Sequence, residues 1–195
     1  SGKMGYAIAA EAARRGAEVV LVSGPSALTT PAGVRRVDVE TCLEMRDAVH
    51  AELSKCTVFI AAAAVADFRP ATRAEHKIKK ESLGDGAGLT IELVRNPDIL
   101  AEVGEASGRE RRLVVGFAAE SQDLVAAARR KLERKRCDLI VANDVSREDA
   151  GFDADTNAVT FVCPEGEIEE LPLLSKREVA ERLLGRIETL REARS

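Results

Sequence analysis

Several residues along the chain have the types and spacing to handle a phosphorylated ligand. Asp67 is the first carboxylate after the run Ala61-Ala62-Ala63-Ala64-Val65-Ala66, and the lysines Lys77, Lys79 and Lys80 begin ten residues beyond it. An alanine run leaves the backbone bare, so a ligand can approach it closely. A carboxylate and a cationic loop beside such a backbone fit a phosphorylated, metal-bound ligand. The same alanines fit equally well as packing beneath a helix. Further along, Asn96-Pro97-Asp98-Ile99-Leu100 reads as a turn into a helix, with Asn96 as the cap and Pro97 in the first helical position. The backbone N–H groups of Asp98, Ile99 and Leu100 would then be free for a ligand. Lys131 and Lys135 are four apart on one helical face. They suit either a phosphate or the negative end of their own helix. Phe117, one of few aromatics, sits at a strand end, as core or as packing for a base.

The elements that would position these residues alternate in type. Cys56 to Ile60 is an apolar, β-branched run and is expected to be a buried strand ending at the alanines. Helical spacing of Met4, Ala7, Ile8, Ala12 and Ala13 ends at Gly16, and a strand follows from 17 to 23. Gly2 and Gly5 at the start of that helix fit either anion binding by free N–H groups or tight packing. A helix first in such a sheet predicts a further strand before Ser1. Val34 to Val39 is expected as a strand, and Thr41 caps a helix to about Leu53. The pattern lapses from Arg69 to Gly88, a long loop of the kind that is usually functional or disordered. Leu89 to Val94 alternates as a strand. Leu113 to Glu120 and Asp138 to Asp144 are two more strands ending in small or polar residues, with a helix from Leu124 to Arg136 between them. Asn157 to Val162 and Glu167 to Leu171 flank a turn and predict an antiparallel hairpin, followed by a helix from Lys176 to about Ala193. The fold class is α/β: a Rossmann-like, mostly parallel sheet with helices on both faces and a late antiparallel hairpin, in a single domain over 1–195. Ligands of such sheets sit outside the carboxyl ends of the strands.

Composition narrows the function. The 195 residues are 45% hydrophobic but only 3% aromatic, so the core is aliphatic. A net charge of -4 and few stacking side chains argue against nucleic acid as a partner. No apolar run is long enough to span a bilayer. Cys42, Cys56, Cys137 and Cys163 form no CxxC pair, which fits reduced thiols in a cytoplasmic protein rather than a zinc site. An NAD(P)-dependent reductase would share the strand ends, but the full G-x-G-x-x-G fingerprint and a Tyr-x-x-x-Lys pair are absent. A non-catalytic nucleotide-binding domain is the other alternative.

Six motifs together carry a resemblance: Ser1-Gly2-Lys3-Met4-Gly5, Ala62-Ala63-Ala64-Val65-Ala66-Asp67-Phe68, Lys77-Ile78-Lys79-Lys80, Asn96-Pro97-Asp98-Ile99-Leu100, Gly116-Phe117-Ala118-Ala119-Glu120 and Asp138-Leu139-Ile140-Val141-Ala142-Asn143-Asp144. In this order the chain resembles phosphopantothenoylcysteine synthetase, the ligase of coenzyme A biosynthesis, over essentially its whole length. The resemblance implies CTP as nucleotide substrate, Mg²⁺, and 4'-phosphopantothenate and cysteine as the molecules joined. It implies nucleotide contacts at Ala61, Ala62, Ala63, Asp67, Lys77, Pro97, Asp98, Ile99, Leu100, Phe117, Lys131 and Lys135. Asp67 would serve the ribose or the metal, Pro97 to Leu100 the cytosine edge, with Phe117 packing nearby, and Lys131 and Lys135 the phosphates. Lys77 would be the catalytic lysine, with Lys79 the alternative in the same loop. The resemblance further implies a homodimer, with the late hairpin as the expected interface. It also implies an upstream fusion to a flavin-dependent decarboxylase, and a strand and an asparagine before Ser1.

Overall fold

The computed structural model describes residues 1–74, 76–78, 88–120, 123–144, 156–164 and 166–194. Its backbone alternates strand and helix through most of its length. The order is α1 (Lys3–Arg14), β1 (Val19–Ser23), β2 (Val34–Asp38), α2 (Cys42–Glu52), β3 (Val58–Ala61), β4 (Phe68–Pro70) and β5 (Leu93–Arg95). Then come α3 (Ile99–Glu105), a 3₁₀ turn at Arg109–Arg111, β6 (Leu113–Glu120), α4 (Leu124–Lys135) and β7 (Leu139–Asp144). The chain ends with β8 (Thr156–Asn157), β9 (Val159–Val162), β10 (Ile168–Glu170), β11 (Leu174–Ser175) and α5 (Lys176–Glu192).

The main sheet has the order β10-β9-β7-β6-β3. Strands β3, β6 and β7 are parallel, while β9 pairs antiparallel with β7 and β10 antiparallel with β9, which makes the late hairpin. Residues of β6 and β7 alternate between two cores because successive side chains point to opposite faces. Val115, Leu139 and Val141 join Ile8 of α1 and Val179 and Leu183 of α5 on one face. Val114, Ile140 and Ala142 join Val103 of α3, Ala128 and Leu132 of α4 and Val49 of α2 on the other. Burial of each such Val, Leu or Ile side chain contributes roughly 1.5–3 kcal/mol. Both faces are covered, so the expected α/β architecture is the one observed.

Two capping boxes define helix starts. The Thr41 hydroxyl accepts from the Glu44 N–H while Glu44 accepts from the Thr41 N–H, and Ser175 and Glu178 do the same for α5. At the far end of the sheet, buried Asp138 accepts from the Val114 N–H at 2.7 Å and pairs with Arg109 and Arg194, tying the start of β7 to the end of the chain.

Three features differ from the sequence expectation. The strand expected over Leu89 to Val94 is confined to Leu93–Arg95 and pairs antiparallel with Phe68–Pro70. This ribbon stands apart from the main sheet, so the alternating Leu89, Ile91 and Leu93 stay 51%, 60% and 56% exposed. Asn96 does not cap α3; Asp98 does, accepting from the Ala101 N–H at 3.0 Å. Asn96 instead donates to the Ala66 carbonyl at 2.8 Å and clamps the two arms of the ribbon. Finally, β1 and β2 form a separate parallel pair. Among the described residues, the edges of β1 and β3 that face away from their partners have no strand beside them.

Candidate active site

The helices run so that their N-termini meet the carboxyl ends of the parallel strands, and a cleft opens there. Its volume is about 2630 Å³, well above the 300–1,000 Å³ of an ordinary ligand pocket. The excess is the trough between β1 and β3, whose backbones line it on both sides. Because of that trough, the residues of β1 and β3 are mostly half-buried, whereas Val114, Val115, Leu139 and Ile140 are fully enclosed.

Ser1, Gly2 and Lys3 bring the start of α1 to the cleft. Gly2 has φ 76°, a left-handed conformation that favours glycine, and no side chain caps the helix. An uncapped helix start presents its dipole to whatever occupies the cleft. Tyr6 on the same helix is buried, with its hydroxyl 3.0 Å from the Ser23 Oγ and its ring beneath Arg36. That tyrosine is built into the α1–β1 contact and is not placed as a reductase acid.

The alanine run leaves the end of β3. Ala61 and Ala62 are half-buried against the two cores, while Ala63, Ala64 and Ala66 are exposed along the cleft. Packing beneath a helix therefore accounts for the start of the run only. Asp67 is exposed, and its carbonyl accepts from the Asn96 N–H at 2.8 Å. The Asp67 backbone is thus joined to the Pro97 to Leu100 segment, which lines the cleft opposite the alanines. Ile99 and Leu100 are buried in the helix-covered core, so that segment contributes backbone more than side chains.

Phe117 is half-buried against the face covered by α1 and α5, and it too lines the cleft. Lys131 donates from Nζ to the Phe117 carbonyl at 2.6 Å. Lys135 is 11% exposed and ion-paired with Asp98. The pair of lysines is therefore divided: Lys131 sits over the middle of β6, because that strand runs on past Phe117 to Glu120 and Phe117 is not at its end as expected, and Lys135 sits at the start of α3. Gly104 makes this possible, because a Cβ there would collide with the Lys135 carbonyl. Lys77 is exposed and is not among the cleft-lining residues, although its neighbour Ile78 is. Lys79 and Lys80 lie outside the described residues.

Burial disfavours the thiolate at Cys42, Cys56 and Cys137. Burial pushes Cys137 up to about 12, and burial also raises Cys42, which lines the cleft. All four cysteines are free. No group of three or more His, Cys, Asp or Glu side chains suited to a metal occurs among the described residues. A single exposed carboxylate such as Asp67 fits a Mg²⁺ ion that arrives on a polyphosphate, since that ion keeps water and phosphate ligands and needs one or two carboxylates.

Sequence reasoning did not single out Asn143, Asn157 and Lys176, which are buried polar residues lining the same cleft. Asn143 lay within a strand-end motif, but nothing in its spacing marked the side chain. Asn157 and Lys176 are brought in only by the late strands.

A family model described as the DNA/pantothenate metabolism flavoprotein C-terminal domain matches residues 1–190. The chain belongs to this family. It is 51% identical over 190 residues to the coenzyme A biosynthesis bifunctional protein CoaBC of Vibrio vulnificus, covering 97% of this chain and 46% of the relative. It is 52% identical over 189 residues to the protein of the same name from Escherichia coli, again covering 97% of this chain and 46% of the relative. The chain thus spans less than half the length of these bifunctional relatives. A crystal structure of the C-terminal domain of CoaBC superposes with a TM-score of 0.82 at 41% identity, covering 99% of this chain and 84% of that one. The Rossmann-like fold is shared with that domain. No helix among the described residues is long and apolar enough to cross a membrane.

Proposed function

We propose that the chain is a phosphopantothenate–cysteine ligase domain that uses CTP and acts in coenzyme A biosynthesis. The observation that supports this reading is that the α1 start, Ala61 to Ala63, Asp67, Pro97 to Leu100, Phe117, Lys131 and Lys135 all border one large opening, which also extends along the trough between β1 and β3. These belong to five different stretches of sequence, and the family to which the chain belongs is one of coenzyme A biosynthesis proteins.

In the first step a carboxylate oxygen of 4'-phosphopantothenate attacks the α-phosphorus of CTP, and pyrophosphate leaves. In the second the amine of cysteine attacks the acyl carbon, loses a proton, and CMP leaves. The backbone at Pro97 to Leu100 reads the cytosine edge, and Phe117 packs beside it. Lys131 faces the phosphates, and Asp67 lies where the ribose or a phosphate-borne Mg²⁺ would reach it. Mg²⁺, when bound, offsets triphosphate charge. Lys77 closes over the cleft from its loop and stabilises charge developing on the α-phosphate or the acyl oxyanion. Lys135, held by Asp98, supports the base-reading segment.

The ligase works as a homodimer in the cytoplasm, joined upstream to the flavin-dependent decarboxylase half of a bifunctional protein. The late hairpin is a poor interface, because Val159, Phe161 and Val162 are spent in the core. The β4–β5 ribbon is the better one, with Phe68, Leu89, Ile91 and Leu93 all at least half exposed.

The test is pyrophosphate release by the full-length protein given CTP, Mg²⁺ and 4'-phosphopantothenate, with and without cysteine. Release that requires CTP, with CMP formation stimulated by cysteine, is expected. Lys77→Gln should lower kcat at least about 100-fold while changing KM for CTP only a few-fold. CTP binding without any release would leave a non-catalytic nucleotide-binding domain.

A further inference from the structure

Two buried asparagines that line the cleft have side-chain oxygens with no partner among the described residues. Asn143, near the end of β7, is 7% exposed, and Asn157, in β8, is 5% exposed. The Oδ1 atoms of both are shielded from solvent and accept no hydrogen bond. Both residues line the cleft. Both lie near Val159. Asn143 stands opposite Val159 across β7 and β9 on one sheet face, and Asn157 precedes Val159 by two residues, in β8, which pairs with β11. It is the face covered by α1 and α5, where Leu139, Val141, Val159 and Phe161 are buried. On the other side of Asn143, β6 contributes only the methyl group of Ala119.

A buried acceptor without a donor costs folding free energy, and native folds retain few of them. An oxygen of this kind repels a phosphate and calls for an N–H or O–H group. The Pro97 to Leu100 segment packs against the opposite sheet face, with Ile99 and Leu100 in the core beneath α3 and α4. Asn143, by alternation from Val141, therefore faces the side of the sheet opposite Ile99 and Leu100. We propose that Asn143 and Asn157 form a carboxamide subsite that receives hydrogen-bond donors of a non-nucleotide substrate. This rests on the ligase reading above. Under that reading two sources carry such donors: the amide N–H and hydroxyl of the pantothenoyl chain, and the ammonium of cysteine.

The experiment compares wild type, Asn143→Leu, Asn157→Leu and Asn143→Asp in the full-length protein. Each is assayed for KM towards 4'-phosphopantothenate, cysteine and CTP, and for melting temperature. The leucine variants should raise KM for one non-nucleotide substrate about 10- to 100-fold, as expected for losing one buried hydrogen bond. KM for CTP should stay within about threefold. The substrate whose constant rises identifies the source of the donor. Melting temperature should hold or rise, since an unsatisfied acceptor has been replaced by an apolar group of similar size. Asn143→Asp keeps an acceptor oxygen and should stay near wild type in KM. Unchanged constants for both non-nucleotide substrates, or a rise confined to CTP, overturn the proposal. Calorimetric titration of each substrate needs no turnover and gives the same comparison, so a failure of the ligase reading is told apart from a failure of the subsite.

Discussion

Lys135 is 11% exposed, its ammonium pairs with one Asp98 oxygen, and the other Asp98 oxygen caps α3. One carboxylate thus performs two tasks that substitution can separate. Asparagine caps a helix as well as aspartate does but carries no charge. Asp98→Asn should therefore cost only the pairing with Lys135, and Asp98→Ala should cost the cap as well, about 1 kcal/mol more. A double-mutant cycle of Asp98→Asn with Lys135→Met, read by denaturant unfolding, should give a coupling of about 1–2 kcal/mol. A coupling near zero would mean that the pair is a solvent-screened contact. The Lys131 and Lys135 spacing was legible in the sequence, because residues four apart must share a helical face. Their separate partners were not, since Asp98 and the Phe117 carbonyl come from other elements.

Helix α1 presents its start to the cleft, and its other end is fixed by charge. Glu11 is 4% exposed and accepts from Arg14 at 2.6 Å and from Arg15 at 2.7 Å. Arg15 also reaches Glu188 and the Glu181 carbonyl of α5. The hydrogen bonds from Arg14, then from Arg15, hold the Glu11 carboxyl at about 2 instead of 4.5. A depressed carboxyl stabilises the folded state above the unfolded value and ceases to do so as pH falls through the folded one. Melting temperature should accordingly drop between about pH 4.5 and pH 2, and Glu11→Gln should flatten that part of the profile. An identical acid profile for Glu11→Gln would show that the cluster does not contribute. The helix itself was legible from apolar spacing. The clamp was not, because Glu188 is far away in sequence.

For the whole molecule, the β4–β5 ribbon and the residues leading into β5 expose an apolar stripe, of which Phe68, Leu89 and Ile91 border the cleft and Leu93 does not. Under the dimer reading, replacing Leu89, Ile91 and Leu93 together by serine should convert the full-length protein to a species of half the mass in sedimentation. The fold should survive, since none of the three is buried. A wild type that sediments as a monomer would remove the dimer reading. Alternation over 89 to 94 was visible in the sequence, but alternation says only that one side differs from the other. Whether the apolar side meets a core depends on where the sheet lies, and here the sheet is elsewhere.

The succession of strands and helices, and the small residues in and after the strands, are legible from local spacing. Local periodicity, caps and turn residues decide those over a few neighbours. Even the late hairpin follows from two alternating runs around Pro164 and Gly166. Only the tertiary structure decided which residues meet at the cleft. It put Asn96 on Ala66, Lys135 on Asp98, and Asn143 opposite Val159. It also separated β1 from β3. The physical reason is that contacts between segments far apart in sequence are set by sheet order and register, and neither leaves a mark in local spacing.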